Sequence, residues 1–116
     1  MSKQIVMYSR TMGCPFVSVA KRIFDDYALD YQEIFIDKDM TARERVLQWT
    51  GFLSVPTIVI AEAGSYLPFA EVAPLEPGRS PRGIHRGAMI TEPSAEQLTD
   101  WLAEHGFIVG AAAGEG

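Results

Sequence analysis

The sequence has a single cysteine, Cys14, so no disulfide can form within the chain. This excludes the class of small secreted domains held together by disulfides and predicts a reducing, cytoplasmic compartment. Long apolar runs are also missing, so we expect no membrane-spanning helix. Positive charge is scarce, with 10 lysines and arginines against 15 acidic residues and a formal net charge of −5. We therefore expect neither nucleic acid nor an anionic membrane as a partner.

Patterns typical of several active sites are absent as well. There is no glycine-rich phosphate loop. The two histidines, His85 and His105, have no cysteine or carboxylate neighbour at metal-ligand spacing. The sequence thus predicts no metal site and no tightly bound cofactor.

What is present is the patterning of one α/β domain. The chain has 116 residues, of which 47% are hydrophobic, enough for a modest core. Apolar runs predict strands over 4–9 and 57–61, and a segment rich in β-forming residues predicts another over 31–36. Helical periodicity predicts helices over 15–27 and 95–105. A further helix is predicted between the second and third strands. Strands that alternate with helices indicate a sheet whose first crossover connects parallel strands.

Capping patterns locate the helix ends. Thr41 with Glu44 forms a capping-box pattern for the second helix, and Gly51 suits the end of that helix. Ser94 with Gln97 forms the same pattern at the start of the last helix. We expect the buried face of the first helix to contain Val19, Ile23 and Tyr27, with Ala20 and Phe24 beside them. That of the last helix should contain Leu98, Trp101 and Leu102.

The segment 62–86 has little predictable structure because prolines and glycines interrupt it, although 69–73 is a candidate short strand. Loops of this length are often functional or mobile. The segment is either a solvated loop or a flap that holds an anionic substrate, and the flap interpretation depends on a basic cluster of Arg79, Arg82, His85 and Arg86. The Gly/Ala-rich tail, 109–116, is predicted to be disordered.

Cys14 stands at the junction between the first strand and the first helix, and Pro15 suits the first helical position. Free backbone N–H groups at a helix N-terminus favour an anion, so we expect Cys14 to ionise more easily than an ordinary thiol and to act as a nucleophile. The alternative is that Cys14 is merely a small buried apolar residue.

Three segments together resemble the glutaredoxin family: Tyr8–Thr11 after a strand, Cys14–Phe16 opening a helix, and Ser54–Thr57 entering another strand. The resemblance covers about 4–61 and resumes near 89–102. It implies a thioredoxin-like fold, a four-stranded mixed sheet flanked by about three helices. The domain would span 1–108, with 62–86 as an inserted loop.

The resemblance also implies roles for individual residues. Cys14 would be the catalytic nucleophile. Pro56 would follow a cis peptide bond and face Cys14, and the backbone of Val55 would pair with the bound thiol. Pro15 and Phe16 would border the substrate groove, although Phe16 is equally suited to partial core packing.

Further positions would bind the small thiol. Arg10 replaces the lysine that usually precedes the cysteine and would meet the carboxylate of glutathione. Thr91 and Ser94 match positions that, in the similar mycothiol-using redoxins, meet the carboxylate or amine end of the thiol. The competing role of both residues is helix capping.

The sequence departs from the family at three points. Val17 occupies the position of the second cysteine of dithiol members, so turnover needs an external thiol. Met12 and Gly13 lengthen the loop before Cys14 by one residue. The Gly-Gly pair and acidic turn that many members use for the γ-glutamyl end are absent, which leaves glutathione, mycothiol and bacillithiol as candidate co-substrates.

The resemblance implies a monothiol oxidoreductase that acts on mixed disulfides between proteins and a small thiol, as a monomer or possible dimer. One alternative is a glutathione-dependent [2Fe–2S] carrier, although Pro15 and Val17 replace the Gly and Ser of cluster-carrying relatives. The other is a thioredoxin-fold interaction module without catalytic activity.

Overall fold

The structure, a computed structural model, describes residues 3–73, 75, 78 and 80–108. The predicted tail, 109–116, lies outside these residues. Strands and helices alternate as the sequence predicts up to the third strand. The elements are β1 (Lys3–Ser9), α1 (Pro15–Asp26), β2 (Tyr31–Phe35), α2 (Met40–Thr50), β3 (Thr57–Glu62), β4 (Met89–Thr91) and α3 (Ala95–Glu104). No helix among the described residues is both long enough and apolar enough to cross a bilayer.

The four strands form one mixed sheet in the order β2-β1-β3-β4. β1 pairs in parallel with β2 and antiparallel with β3, and β3 pairs antiparallel with β4. β1 is therefore a central strand, and its residues from Ile5 to Ser9 are fully buried. A strand covered on both faces needs a continuous apolar run, which is the pattern that the sequence shows. The predicted thioredoxin-like architecture is confirmed.

Helices cover both faces of this sheet. Tyr31 lies opposite Ile5 in the register, and its ring is 4.6 Å from that of Phe24 in α1. Tyr8 is three positions beyond Ile5 and so points to the other face, where its ring lies 5.2 Å from that of Trp49 in α2. α1 and α2 thus lie on opposite faces, and α3 packs beside α1.

The buried face of α1 differs in part from the prediction. It consists of Val17, Ala20, Ile23 and Phe24. Tyr27 is 43% exposed because the helix ends at Asp26, so its assignment to the buried face was wrong. On α3, the three predicted core residues, Leu98, Trp101 and Leu102, are all buried.

The β3–β4 connection, residues 63–88, joins the two strands. The prediction of a short strand over 69–73 is wrong. The N–H of Phe69 donates to the carbonyl of Ile60 in β3 at 2.8 Å, but residues 69–73 form no ladder with β3. Only Phe69 and Val72 of this segment are β-forming residues, and one bond to β3 does not make a ladder. The sequence patterns also did not locate β4, which has only three residues.

The end of the connection folds back along β4. The N–H of Gly83 donates to the carbonyl of Thr91 at 2.8 Å, and the N–H of Arg86 donates to that of Met89 at 2.7 Å. Gly87 has a positive φ of 70° and makes the turn, a conformation that favours glycine. These bonds place residues 83–86 on the outer edge of the sheet.

Two of the three predicted helix ends are confirmed. Gly51 ends α2 in the left-handed conformation, with φ of 78°, and both hydrogen bonds of the Ser94–Gln97 capping box are present. The predicted cap at Thr41 is wrong. α2 begins at Met40, and the carboxylate of Asp39 accepts a hydrogen bond from the N–H of Ala42 at 3.1 Å.

The cap of α2 gives a direct test of its first turn. Asp39→Ala leaves the Ala42 N–H without its acceptor, and we expect the free energy of unfolding to fall by about 1 kcal/mol. Thr41→Ala is the matched control, since Thr41 is exposed, and its effect should stay within about 0.5 kcal/mol. Urea unfolding followed by circular dichroism measures both. Equal losses in the two variants would contradict the assignment.

Candidate functional site

Cys14 is the N-cap residue of α1. Its backbone is extended, with φ of −149° and ψ of 127°, and Pro15 begins the helix. The carbonyl of Cys14 accepts the first helical hydrogen bond, from the N–H of Ser18 at 3.0 Å, whereas its side chain caps no backbone N–H. The half-buried thiol is thus held at the N-terminal end of a helix, in the position that the sequence predicts.

The loop that precedes β3 faces this thiol. The Val55–Pro56 peptide bond is cis, as the resemblance implies, and both residues are buried. The sulfur of Cys14 lies 3.6 Å from the carbonyl oxygen of Val55, to which the thiol donates a hydrogen bond. The structure therefore brings the predicted nucleophile and the predicted Val-Pro pair together.

A cation from the β3–β4 connection lies over the ring of Phe16, two residues after Cys14. The guanidinium carbon of Arg82 is 5.0 Å from the centre of the Phe16 ring, and its Nε donates to a carboxylate oxygen of Glu92 at 2.8 Å. The bond to Glu92 and the charge of Glu92 raise the pKa of Arg82, and the proximity of Cys14 adds a smaller contribution. The Arg82 side chain is 64% exposed, so solvent can reach this cation.

Glu92 is held by an uncommon backbone conformation. It has a positive φ of 45°, which is costly for a residue with a side chain and is concentrated at functional sites. Its N–H donates to the carbonyl of Pro56 at 2.8 Å. The same residue thus contacts the cis-proline loop through its backbone and Arg82 through its carboxylate.

Two of the remaining predicted site residues lie beside the thiol, and the side chain of a third, Arg10, makes no polar contact among the described residues. Pro15 is exposed and Phe16 is partly exposed, so both are accessible beside the thiol. Arg10 is also exposed, but its side chain makes no hydrogen bond or ion pair within the described part of the chain. Arg82, which the sequence placed only in a basic cluster, is the cation that contacts Phe16.

Thr91 and Ser94 have structural contacts. Thr91 is 1% exposed, its hydroxyl lies 3.4 Å from that of Thr57, and its backbone N–H and carbonyl are bonded to residues 84 and 83. These contacts fit the structural role of Thr91, and its thiol-binding role stays a prediction. The hydroxyl of Ser94 accepts from the N–H of Gln97 at 3.2 Å, the capping role that competed with ligand contact.

The loop before Cys14 is anchored at Thr11. Its backbone N–H lies 3.2 Å from both carboxylate oxygens of Asp37, and its hydroxyl donates to the same carboxylate. The hydroxyl bond is the main cause of a lowered pKa at Asp37. Asp37 follows β2, so this contact ties the Cys14 loop to the neighbouring strand of the sheet.

Metal ligands are not gathered anywhere in the described ranges: no group of three or more His, Cys, Asp or Glu side chains could hold an ion.

Comparison with known proteins identified one family. The model of the family described as glutaredoxin matches residues 5–63, a stretch that runs from the third residue of β1 to just beyond β3 and contains Cys14 and Pro56. The match ends at the start of the β3–β4 connection, so Arg82 and Glu92 lie outside it. Neither the comparison with curated proteins nor the comparison with solved structures found a match.

The Thr11–Asp37 contact predicts a pH-dependent stability. Because the pKa of Asp37 is lowered in the folded protein, its contribution is fully present above the unfolded pKa and is lost as pH falls through the folded one. Thr11→Val removes the hydroxyl donor, so we expect it to destabilise the protein at neutral pH and to match the wild type in acid. Urea unfolding across pH measures this, with Thr41→Val as the control. A Thr11→Val effect that is independent of pH would contradict it.

Proposed function

Because the chain belongs to the glutaredoxin family, we propose that it reduces mixed disulfides between proteins and a small thiol by a monothiol route. Family membership by itself supports a thiol–disulfide oxidoreductase-like function. The observation that carries the finer proposal is the Cys14 thiol at the N-terminus of α1, within 3.6 Å of the Val55 carbonyl and beside the cis peptide bond of Pro56.

The first step is attack of the Cys14 thiolate on the small-thiol sulfur of the mixed disulfide. A new disulfide forms between Cys14 and the small thiol, and the protein sulfur leaves as a thiolate that takes up a proton. A second molecule of the small thiol, as its thiolate, then attacks the disulfide and regenerates Cys14. The oxidised product is the disulfide of the small thiol, and each step is an exchange in which one S–S bond replaces another.

The position of Cys14 favours the first step. The free N–H groups in the first turn of a helix and the aligned peptide dipoles favour a negative charge at that end. The partial exposure of Cys14 gives a substrate sulfur a path of approach.

The position of Val17 favours an external thiol for the second step. Val17 stands three residues after Cys14, and its side chain is 6% exposed in the core beneath α1. It carries no sulfur and no polar atom that could react with a Cys14 disulfide. Resolution therefore needs a thiol from outside the chain, and we assign that role to a second small-thiol molecule.

The main chain of Val55 would hold the substrate. In the resting structure its carbonyl accepts from the Cys14 thiol. When Cys14 loses its proton and bonds to a substrate sulfur, this carbonyl loses its donor. A backbone N–H of a peptide-like thiol can then take that place, because a buried carbonyl without a partner is costly.

Arg82 would recognise a carboxylate of the small thiol. Its guanidinium already binds one carboxylate, that of Glu92, and lies over the Phe16 ring beside Cys14. A substrate carboxylate can bind the remaining N–H groups or replace Glu92, and guanidinium geometry suits such pairs. This role assigns to the β3–β4 connection the charge that the resemblance assigned to Arg10.

The function is tested with a glutathionylated peptide and glutathione, following release of the free peptide. We expect release with the wild type and none above background with Cys14→Ser. The assay is repeated with peptides carrying mycothiol or bacillithiol, each supplied with its own free thiol. Absence of Cys14-dependent release with all three thiols would refute the oxidoreductase proposal.

Arg82 gives a prediction about substrate preference. Arg82→Gln should raise KM for glutathione about fivefold with little change in kcat, the effect of losing an exposed charge pair worth about 1 kcal/mol. With glutathione esterified at its glycyl carboxylate, the variant and the wild type should have the same KM. Arg22→Gln, an exposed arginine on α1, is the matched control. An equal effect of Arg82→Gln on both co-substrates would show that Arg82 does not recognise the glycyl carboxylate.

A further inference from the structure

A cavity of about 820 Å³ lies between the C-terminal end of α2 and the β3–β4 connection. This volume falls within the range of about 300–1,000 Å³ that is typical of small-molecule sites. None of the residues around the thiol, Cys14, Phe16, Val55 and Arg82, lines it. Its apolar lining is large and aromatic in part, with contributions from Trp49, Phe52, Leu67, Phe69, Val72 and Leu75.

Arg86 places a positive charge in this apolar lining. Its guanidinium is partly buried and donates to the carbonyls of Ala73 at 2.9 Å and Trp49 at 2.8 Å, and to the sulfur of Met89 at 3.2 Å. These three acceptors are uncharged. They hold the connection against α2 and β4, but they do not neutralise the guanidinium.

The described residues contain no carboxylate in an ion pair with Arg86. Glu71 also lines the cavity, but it is exposed and forms no ion pair in that part of the chain. Burial lowers the pKa of Arg86, yet an arginine stays protonated in proteins. Its three bonds also leave two of the five guanidinium N–H groups without an acceptor among those residues.

We propose that this cavity is a binding site for a small amphipathic anion, an acyl or aryl chain that ends in a carboxylate. The chain lies against the apolar lining, and the carboxylate binds Arg86. A neutral apolar ligand would fill the cavity but would leave the partly buried charge of Arg86 without a counter-charge from the described residues, which is costly. A polyanion such as a nucleotide would need several cations, whereas Arg86 is the one lysine or arginine among the described lining residues.

The test compares octanoate with octanol, which share a chain and differ in charge. Binding is measured by calorimetry on the full chain carrying Cys14→Ser, so that thiol chemistry contributes nothing and failure of the oxidoreductase proposal has no bearing on the result. We expect one saturable octanoate site and at least tenfold weaker binding of octanol, the difference that a charge-assisted hydrogen bond makes. Equal binding of the two, or no saturable octanoate binding, would overturn the proposal.

Two variants locate the site. Arg86→Met, with its fold checked by circular dichroism, should remove the preference for octanoate over octanol. Leu67→Glu adds a negative charge at a residue that is 46% exposed and therefore tolerant of change, and it should weaken octanoate binding about tenfold. Met40→Glu, at a 66% exposed residue of α2 outside the lining, is its matched control.

The variants also test whether the cavity has a different occupant. An octanoate preference that survives Arg86→Met, or equal effects of Leu67→Glu and Met40→Glu, would place the anion elsewhere and overturn the proposal. Analytical ultracentrifugation of the same samples without ligand measures whether two copies of the chain associate. If the wild type self-associates, Leu67→Glu abolishes the association and octanoate does not bind, the cavity is a contact between copies instead.

Discussion

The antiparallel pairing of β1 with β3 is the constraint on which the Cys14 site depends. The register sets Tyr8, next to the end of β1, opposite Thr57, the first residue of β3. The loop that leaves β1 and the loop that enters β3 therefore lie at the same end of these two neighbouring strands. This is how Cys14 and Val55, 41 residues apart in sequence, come within hydrogen-bond distance. Both paired residues are fully buried, so the core fixes the separation of the two loops.

Much of the fold was predictable because its signals are local. β1 and β3 coincide with apolar runs, β2 coincides with a segment rich in β-forming residues, and the Ser94 cap lies three residues from its partner Gln97. The sequence did not identify the N-cap of α2 uniquely, because Asp39 and Thr41 are both good N-cap residues. In the structure α2 begins at Met40, so Asp39 is its N-cap residue and Ala42 is a buried residue of its first turn.

The site was also predictable only where its signals are local in sequence. Cys14 and Pro56 belong to short motifs next to recognisable elements, so their positions followed from the sequence. Arg82 and Glu92 meet only because the β3–β4 connection folds back along β4, which no local pattern encodes. The sequence grouped Arg82 with Arg86 as one basic cluster. In the structure the two contact different surroundings, since one lies over Phe16 and the other lines the cavity beside Trp49.

The fold-back of residues 83–86 along β4 also determines how the sheet ends. Strands at the edge of a sheet expose N–H and carbonyl groups that can pair with another chain, and β4 would be such a strand. Its outer groups instead bond to the connection, through Gly83, Ile84 and Arg86. Within the described residues, β2 is then the strand whose outer edge has no neighbour. Aggregation or assembly by strand addition is consequently directed to one side of the molecule, at a strand of five residues.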